Sequence, residues 1–300
     1  MSLLVVGSVA YDSIKTPHGE AADALGGSAV YFSLAARHFA EVRLVGVVGD
    51  DFHRHDVDYL KQRQIDTAGL ETIADGKTFR WSGEYSADMN SRETLSVELN
   101  VFEDFQPKIP PQFSDSRFVF LANGSPVTQL SVLEQVEKPQ FVMADTMDLW
   151  IQIQRDDLLR LLERVDGLLL NDSEAHLLTD APNLVAAGKA ILNMGPRRVV
   201  IKKGEHGAVL FTEESIVPLP AYPVEHVRDP TGAGDSFAGA LMGHLTRSGS
   251  VDAMSFKQAL AYGTILASTT VEDFGVDRLG SVGGEEIERR YGQFRGFLAL

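Results

Sequence analysis

The residue types best suited to chemistry lie together at positions 229–239, in the string Asp-Pro-Thr-Gly-Ala-Gly-Asp-Ser-Phe-Ala-Gly. Apolar residues recur at three- and four-residue spacing after it, which predicts a helix with one buried face. The glycines would then lie at the helix N-terminus, where Gly232, Ala233 and Gly234 can direct unpaired N–H groups toward an anion. Asp235 would stand beside that anion as a proton acceptor. The string therefore predicts a site of phosphate transfer.

A simpler interpretation makes Asp235 a helix N-cap, because Asp is frequent at helix starts and Gly-rich turns are common. That interpretation would suffice for an isolated Gly-x-Gly-Asp. The full eleven-residue string is far more specific, and it favours the phosphate site.

The elements that must position this string follow an alternating order of strands and helices. Short apolar runs separated by segments of helical spacing predict a parallel sheet covered on both faces. The predicted strands are residues 3–9, 42–48, 118–122, 141–144, 167–170, 199–201 and 208–211. The predicted helices include residues 31–39, 127–136, 158–165 and 184–194. Ligands collect at the carboxyl ends of such strands, where the chain carries Asp12, Asn123, Asp145 and Asn171.

One region breaks this order. Between residues 77 and 102 apolar and polar residues alternate, which predicts an antiparallel ribbon. Residues 13–25 suit neither the first strand nor the first helix and are expected to join that ribbon. We expect the two segments to form a small β-sheet lid on a single domain of residues 1–300, because closure of a lid excludes water from a transfer reaction.

Composition narrows the classes of function. The 300 residues are 44% hydrophobic and can bury a large core, while a formal net charge of −15 without a large Lys/Arg cluster argues against nucleic acid as a partner. The chain has no cysteine, which excludes disulfides and thiolate catalysis. Its apolar runs are too short to cross a membrane, so we expect no membrane partner and a cytoplasmic location. His53 and His55 are expected on different faces of a helix rather than as metal ligands.

Taken together, the motifs resemble the ribokinase-like, or PfkB, family of carbohydrate and nucleoside kinases. The matching segments, in chain order, are residues 7–12, 26–27, 45–50, 145–150, 171–174, 202–207 and 229–239. Each short motif has a structural alternative, such as a turn at Asp12 or a capping box from Asn171 to Glu174. Their order and spacing favour the family. The resemblance implies a ribokinase-like three-layer α/β domain with a mostly parallel central sheet and a small β-sheet lid.

The resemblance also implies roles for individual residues. Transfer of the γ-phosphate of ATP to a hydroxymethyl group would use Asp235 as the base and the amides of residues 232–234 as the anion hole, with Mg²⁺ as cofactor. The implied substrate-binding residues are Asp12, Gly26, Gly27, Tyr31 and Asn123. The implied nucleotide-binding residues are Asn171, Glu174, Lys202, Gly204, Gly207 and Thr264. Glu174 would hold Mg²⁺ through water, and Asp229 with Thr231 would hold a monovalent cation such as K⁺.

The acceptor side departs from the sugar-kinase pattern. Tyr31 stands where sugar kinases usually carry Asn, and Gly124 stands where ribokinases carry Glu. Both changes favour a nucleoside over a free sugar such as ribose or fructose, because Tyr31 with Phe79 or Trp81 could stack on a base. The same aromatic side chains could instead pack the lid or a homodimer interface formed through it.

Other classes of protein fit less well. A P-loop kinase would need Gly-x-x-x-x-Gly-Lys-Ser/Thr, which the chain lacks. A dinucleotide oxidoreductase would need its glycine motif after an early strand, with a third glycine where Phe237 stands. A catalytically silent sugar- or nucleotide-binding regulator could use the same fold, although Asp235 beside the glycines favours a kinase.

Overall fold

The computed structural model describes residues 1–299, which contain thirteen β-strands and eleven α-helices. The strands are β1 (Ser2–Val6), β2 (Ala10–Thr16), β3 (Gly19–Gly26), β4 (Glu41–Gly49), β5 (Ile65–Ile73), β6 (Phe79–Tyr85), β7 (Arg92–Glu98), β8 (Phe118–Leu121), β9 (Phe141–Asp145), β10 (Gly167–Asn171), β11 (Arg198–Lys202), β12 (Ala208–Thr212) and β13 (Ile216–Leu219). The helices are α1 (Ser28–Ala36), α2 (Arg54–Gln62), α3 (Pro126–Leu133), α4 (Asp148–Ile153), α5 (Arg155–Leu162), α6 (Asp172–Thr179), α7 (Leu184–Leu192), α8 (Ala233–Ser248), α9 (Ala253–Thr270), α10 (Asp277–Ser281) and α11 (Gly284–Leu298).

The main sheet has nine strands in the order β13-β12-β11-β10-β9-β8-β1-β4-β5. Neighbouring strands are parallel except at the β11–β12 and β12–β13 pairs. This arrangement confirms the predicted mostly parallel sheet, and each predicted strand overlaps an observed one. The runs are apolar throughout because both faces of the sheet are covered.

Helices cover the two faces of this sheet and give three layers. Successive side chains of β1 point to opposite faces, so Leu3 and Val5 enter one core while Leu4 and Val6 enter the other. The first core includes α1, α8 and α9, and the second includes α5, α6 and α7. Within residues 1–299, no helix combines the length and the apolar character needed to cross a membrane.

Helix α8 lies against α1 through glycines. A Cβ on Gly239 would lie 2.1 Å from the carbonyl oxygen of Phe32, and a Cβ on Gly243 would lie 3.0 Å from that of Ala36. Only residues without a side chain permit this approach. The contact fixes the start of α8 near the start of α1, and so brings two of the predicted motifs together.

A second sheet of four strands, in the order β3-β2-β6-β7, stands apart from the main sheet. Its β2–β3 and β6–β7 pairs are antiparallel, whereas β2 and β6 are parallel. The two expected segments therefore meet in one small sheet. The antiparallel ribbon ends earlier than expected, because residues Asn100–Phe102 form a 3₁₀ turn. Val101 and Phe102 pack against the second core there.

The structure also corrects the position of Asp12. We expected this residue at the end of the first main-sheet strand, but β1 ends at Val6 and Asp12 lies in β2 of the small sheet. Where the chain leaves the main sheet, Ser8 and Ser28 form a clasp of two reciprocal hydrogen bonds. The Ser8 amide donates to Ser28 Oγ at 3.2 Å, and the Ser28 amide donates to Ser8 Oγ at 2.9 Å. This clasp anchors the crossing segment to the start of α1.

Candidate active site

The turn at Gly232 begins helix α8, as the sequence predicts. Gly232 is the N-cap residue with φ 74° and ψ 0°, a left-handed conformation that glycine adopts without steric cost. A Cβ there would also lie 2.3 Å from ring atoms of Tyr31. Because Gly232 is the N-cap, Asp235 occupies the third helical position, and the interpretation of Asp235 as the N-cap is wrong.

Two of the three expected amides are free to bind an anion. The Ala233 N–H donates to the carbonyl oxygen of Pro230 at 3.2 Å, so the expectation that it is unpaired is wrong in this conformation. The N–H groups of Gly232 and Gly234 have no acceptor among residues 1–299. These two amides, at the positive end of the α8 dipole, form the candidate anion hole.

Asp235 has the electrostatic character of a general base. Burial raises its pKa to about 7, and the nearby charge of Asp145 acts in the same direction. The positive charges of Lys202 and Arg92 oppose that shift. A carboxyl group with a pKa near neutrality is well matched to proton transfer at physiological pH.

Asp12 lies in the same cleft as Asp235. Its Oδ2 accepts a hydrogen bond from the Gly27 N–H at 3.4 Å, and a Cβ on Gly26 would lie only 2.0 Å from that oxygen. Burial raises the pKa of Asp12 to about 7, and the charges of Asp229 and Asp235 contribute to the rise. Gly26 thus makes room for the buried Asp12 carboxyl group, and Gly27 donates a hydrogen bond to it.

Asp229 holds the backbone that precedes the anion hole. Its carboxylate accepts hydrogen bonds from the Thr231 N–H at 2.8 Å and from the Gly275 N–H at 2.9 Å. The residue is fully buried, and burial is the main cause that raises its pKa. The Thr231 hydroxyl donates to Tyr85 Oη at 3.2 Å, which links this segment to the small sheet.

A buried ion pair stands behind the anion hole. Lys202 ends β11 and Asp145 ends β9, and their Nζ and Oδ2 atoms are 3.4 Å apart. A Cβ on Gly234 would lie 3.0 Å from Lys202 Nζ, so the ammonium group reaches the turn itself. Lys202 retains its charge because the Asp145 and Glu174 carboxylates raise its pKa against the opposing effect of burial.

Asn171 and Glu174 form a capping box at the start of α6. Asn171 Oδ1 accepts the Glu174 N–H at 2.8 Å, and Glu174 Oε2 accepts the Asn171 N–H at 2.7 Å. The structural alternative for this motif is therefore present. Burial nevertheless raises the pKa of Glu174 to about 7, which marks a carboxyl group held in the cleft rather than in bulk water.

The residues at the carboxyl ends of β9 and β10 are suited to bind Mg²⁺. Carboxylates of Asp145 and Glu174 supply the hard oxygen atoms that this ion prefers. Beside them, the buried Thr146 hydroxyl has no hydrogen-bond partner among residues 1–299. Oxygen donors thus collect at the carboxyl ends of β9 and β10.

The expected nucleotide-side residues occupy a loop and a helix. Gly204 and Gly207 have φ values of 51° and 86°, and a Cβ on Gly207 would lie 2.1 Å from the carbonyl oxygen of Leu219. Position 207 therefore requires glycine, whereas a Cβ on Gly204 would have no atom closer than 3.7 Å. Thr264 is buried in α9, where its hydroxyl has no hydrogen-bond partner among residues 1–299.

The structure corrects the expected role of Tyr31 as a stacking platform. All nine residues of α1 are buried, and the Tyr31 ring lies under Gly232 with only 1% of its surface exposed. A base cannot stack on a ring covered in this way. The Tyr31 hydroxyl has no hydrogen-bond partner among residues 1–299, and burial with the charges of Asp12 and Asp229 keeps its pKa well above the usual value.

Asn123, the remaining acceptor-side residue, follows β8 as expected but is engaged with the segment that begins α4. Its Oδ1 accepts a hydrogen bond from Trp150 Nε1 at 3.0 Å, and its Nδ2 donates to Met147 Sδ at 3.1 Å. Both ends of the amide are thus in use. Asn123 contributes to the cleft by positioning this segment.

The inner face of the small sheet contributes residues that sequence reasoning missed. Tyr85 contacts the anion-hole segment, and its cross-strand partner Arg92 carries a charge that acts on both Asp12 and Asp235. Strand alternation was the available signal, because Arg92 falls opposite an inward-facing position of β6. Phe79 stacks on Phe102 with ring centroids 5.5 Å apart, so this aromatic residue packs the small sheet.

His53 and His55 do not face apart as expected. Their rings stack with centroids 5.0 Å apart, because His53 is the extended N-cap residue of α2 rather than part of the helix. Ligand atoms of both rings and of Asp56 lie within 4.8 Å of one another. The Asp56 carboxylate accepts a hydrogen bond from Tyr11 Oη at 2.7 Å.

Fold and site together define a phosphotransferase, and comparison with known proteins gives its family. Residues 2–279 match the pfkB family of carbohydrate kinases, and the chain belongs to this family. A cytidine kinase of Thermococcus kodakarensis is 30% identical over 254 residues, which are 82% of this chain and 89% of that protein. An inositol 3-kinase of Arabidopsis thaliana is 27% identical over 288 residues, which are 91% of this chain and 74% of that protein.

A solved structure supports the same fold. The nucleoside kinase of Burkholderia thailandensis in complex with ADP-inosine superposes with a TM-score of 0.82 at 19% identity and covers 98% of this chain and 96% of its own. This likeness confirms the predicted ribokinase-like fold, and the family match with the cytidine kinase relative confirms the predicted class of phosphotransferase.

Proposed function

We propose that this chain is an ATP- and Mg²⁺-dependent nucleoside kinase that phosphorylates the hydroxymethyl group of the ribose. The observation that carries the proposal is the position of Asp235, with a pKa raised to about 7, in the first turn of α8 beside two free amides. Similarity to the cytidine kinase of T. kodakarensis supports a nucleoside as the acceptor.

The transfer would proceed in line. Asp235 accepts the proton of the acceptor hydroxyl as its oxygen attacks the γ-phosphorus of ATP. The bond between the γ-phosphorus and the bridging oxygen breaks, and ADP leaves with the electron pair. The Gly232 and Gly234 amides stabilise charge on the transferred group, while a positioned base contributes about 10²- to 10⁴-fold in rate.

The nucleotide would bind along the carboxyl ends of β9–β11 and the loop that follows. Lys202, Asn171 and Glu174 face its phosphates, and Gly204, Gly207 and Thr264 line its base. Mg²⁺ bound near Glu174, with Asp145 beside it, would supply neutralisation of phosphate charge.

The acceptor would bind between Asp12 and the small sheet. The Asp12 carboxyl group, in the space left by Gly26 and bonded to the Gly27 N–H, suits the hydroxyl groups of a ribose. Tyr31 would act through its hydroxyl group, which is a buried donor without a partner among residues 1–299. A base would then lie under the small sheet, against Trp81, and the sheet would act as the lid.

A monovalent cation such as K⁺ would bind beside the anion hole at Asp229 and Thr231. The buried Asp229 carboxylate faces two backbone N–H donors, and a cation on its other side would neutralise it. Replacement of K⁺ by tetramethylammonium should lower kcat severalfold, and equal rates in both salts would contradict this site.

The small sheet would also support a homodimer. Strand β7 is the edge of that sheet, and Leu95 and Val97 expose 54% and 52% of their surfaces there. An exposed apolar edge strand is a ready pairing surface. Sedimentation should show a dimer that Val97→Lys dissociates, and a monomeric wild type would contradict this part of the proposal.

The kinase activity itself is tested by ³¹P NMR of reactions with ATP, Mg²⁺, K⁺ and cytidine. We expect ADP together with one phosphomonoester whose signal is coupled to a CH₂ group. Formation of ADP and inorganic phosphate alone, or binding of ATP without turnover on nucleosides and sugars, would instead support the silent regulator.

A further inference from the structure

A cluster of side chains able to bind a metal ion lies at the start of α2, outside the set of residues assigned to phosphate transfer. His53 is the N-cap residue of this helix, and His55 and Asp56 follow in its first turn. The two imidazole rings stack with centroids 5.0 Å apart. Ligand atoms of the three side chains lie within 4.8 Å of one another. Two imidazoles and a carboxylate are thus brought to one place.

The spacing within this cluster is close to that of a metal centre. His55 Nε2 lies 3.4 Å from Asp56 Oδ1, and His53 Nδ1 lies 3.6 Å from Asp56 Oδ2. Zn²⁺ binds nitrogen and carboxylate oxygen in a tetrahedron at about 2.0–2.2 Å, which places neighbouring ligand atoms about 3.4 Å apart. Both rings are exposed, so small rotations of them would direct their nitrogen atoms to one ion.

The charge of the Asp56 carboxylate also favours a cation. This residue is buried, with 8% of its surface exposed. Within residues 1–299, its partners at ion-pair distance are His53 and His55, which are positive only when protonated, and no Lys or Arg is among them. Buried carboxylates are usually paired with a cation or bound to a metal ion. A divalent ion beside the two rings would neutralise this charge.

Tyr11 orients two of these side chains from the small sheet. It belongs to β2. Its hydroxyl group donates to Asp56 Oδ2 at 2.7 Å, accepts the His53 N–H at 2.9 Å and lies 2.8 Å from His53 Nδ1. Burial and the hydrogen bond to Asp56 raise the pKa of Tyr11, so the phenol stays protonated and remains a donor. Hydrogen bonds of this kind fix the orientation of metal ligands.

We propose that His53, His55 and Asp56 bind a divalent transition-metal ion such as Zn²⁺, at a site separate from that of Mg²⁺ near Glu174. Imidazole suits Zn²⁺, whereas Mg²⁺ prefers oxygen ligands and keeps most of its water. Water completes the coordination, since both rings are open to solvent. Because Tyr11 reaches the ligands from β2, the bound ion ties the start of α2 to the small sheet. The proposal does not depend on the kinase function proposed above.

The test is a calorimetric titration of the full untagged chain with Zn²⁺, after treatment with a chelator and in excess Mg²⁺, which occupies the carboxylates near Glu174. We expect a single ion to bind. His53→Gln and His55→Gln should each weaken this binding by at least about tenfold. His226→Gln is the matched control, because it removes an imidazole from another exposed pair, in which His226 Nε2 lies 3.8 Å from Glu225 Oε1. It should bind Zn²⁺ as the wild type does.

Two further measurements test the geometry. Tyr11→Phe keeps the ring and removes the hydroxyl group, and should weaken Zn²⁺ binding by about tenfold. Zn²⁺ should raise the Tm of the wild type but not that of the double variant His53→Gln/His55→Gln. Failure of the wild type to bind Zn²⁺, equal affinity in the double variant, or an equal loss in His226→Gln would overturn the site. Unchanged affinity in Tyr11→Phe would overturn the role of Tyr11.

Discussion

The α8 turn and the inner face of the small sheet meet in one cleft, but they are held in place very differently. The turn is fixed from several sides, by the buried Asp229 carboxylate and by the glycine contacts of α8 with α1. The small sheet reaches the turn through the hydrogen bond from Thr231 to Tyr85, and its hairpin tip reaches the nucleotide loop through Asn90 and Glu205 at 3.0 Å. All seven residues of β7 are exposed.

We therefore expect the rigid turn to carry the chemistry and the small sheet to open and close over it. A base and an anion hole need fixed positions within a fraction of an ångström, and the buried turn holds the proposed base and anion hole in such positions. A lid must open to admit substrates, and segments with few buried contacts open at low cost in free energy. Substitutions in the rigid turn should therefore have larger effects than substitutions elsewhere in the cleft.

Asp235→Asn should have the largest effect, because it removes the base and leaves the turn intact. We expect kcat to fall by about a hundredfold or more, with the Kd for ATP nearly unchanged in calorimetry. Asp58→Asn, an exposed substitution on α2, is the matched control. Near-wild-type turnover in Asp235→Asn would end the assignment of this residue as the base.

Gly232→Ala should damage the rigid region itself. The left-handed φ of 74° and the Tyr31 ring 2.3 Å from the new Cβ oppose any side chain, so we expect a loss of about 2 kcal/mol or more in unfolding free energy and at least tenfold lower activity. Gly292→Ala in α11 has open space around its Cβ and should be neutral or stabilising by about 0.5–1 kcal/mol. Equal behaviour of the two variants in denaturant melts would contradict the steric argument.

The pH dependence of kcat/KM should show the raised pKa of Asp235. A base acts when deprotonated, so activity should fall about tenfold per pH unit below about 7. Asp12 also has a pKa of about 7, and a steeper limb would mean that both groups must be ionised. Activity that is constant down to pH 5 would show that Asp235 is not the titrating base.

Tyr31→Phe should have two small effects: it should stabilise the fold and weaken the binding of the nucleoside. Loss of a buried hydroxyl without a partner among residues 1–299 should raise the unfolding free energy by about 1 kcal/mol. The nucleoside KM should rise severalfold, because the same hydroxyl is the expected donor to the acceptor. Tyr291→Phe on α11 is the control, and an unchanged KM in Tyr31→Phe would remove Tyr31 from the acceptor site.

The sequence predicted both sheets and the α8 turn well and the contacts of individual side chains poorly, for physical reasons. Apolar runs covered on both faces specify a parallel sheet, and the string at 229–239 is long enough to exclude coincidence. Helix α1 is apolar around its whole circumference, so no periodicity revealed that Tyr31 would lie under Gly232. On such a helix, the element that covers each side chain is set by the packing of neighbouring elements and not by the helix's own sequence.

Other features depend on contacts between distant segments. The early end of β1 at Val6 accompanies hydrogen bonds between Ser8 and Ser28, which are 20 residues apart. Arg92 lies on a strand whose surface composition is ordinary. Only its pairing with Tyr85 brings it to the cleft.

The most direct test of the central claim, that this kinase acts on nucleosides, is a competition assay. Cytidine, ribose, fructose and myo-inositol at equal concentrations would share one pool of γ-labelled ATP, so that the ratio of labelled products reports the ratio of kcat/KM values. We predict that phosphorylated cytidine exceeds each other product by at least about tenfold. A sugar phosphate or inositol phosphate as the main product would contradict the nucleoside assignment while leaving the kinase in place.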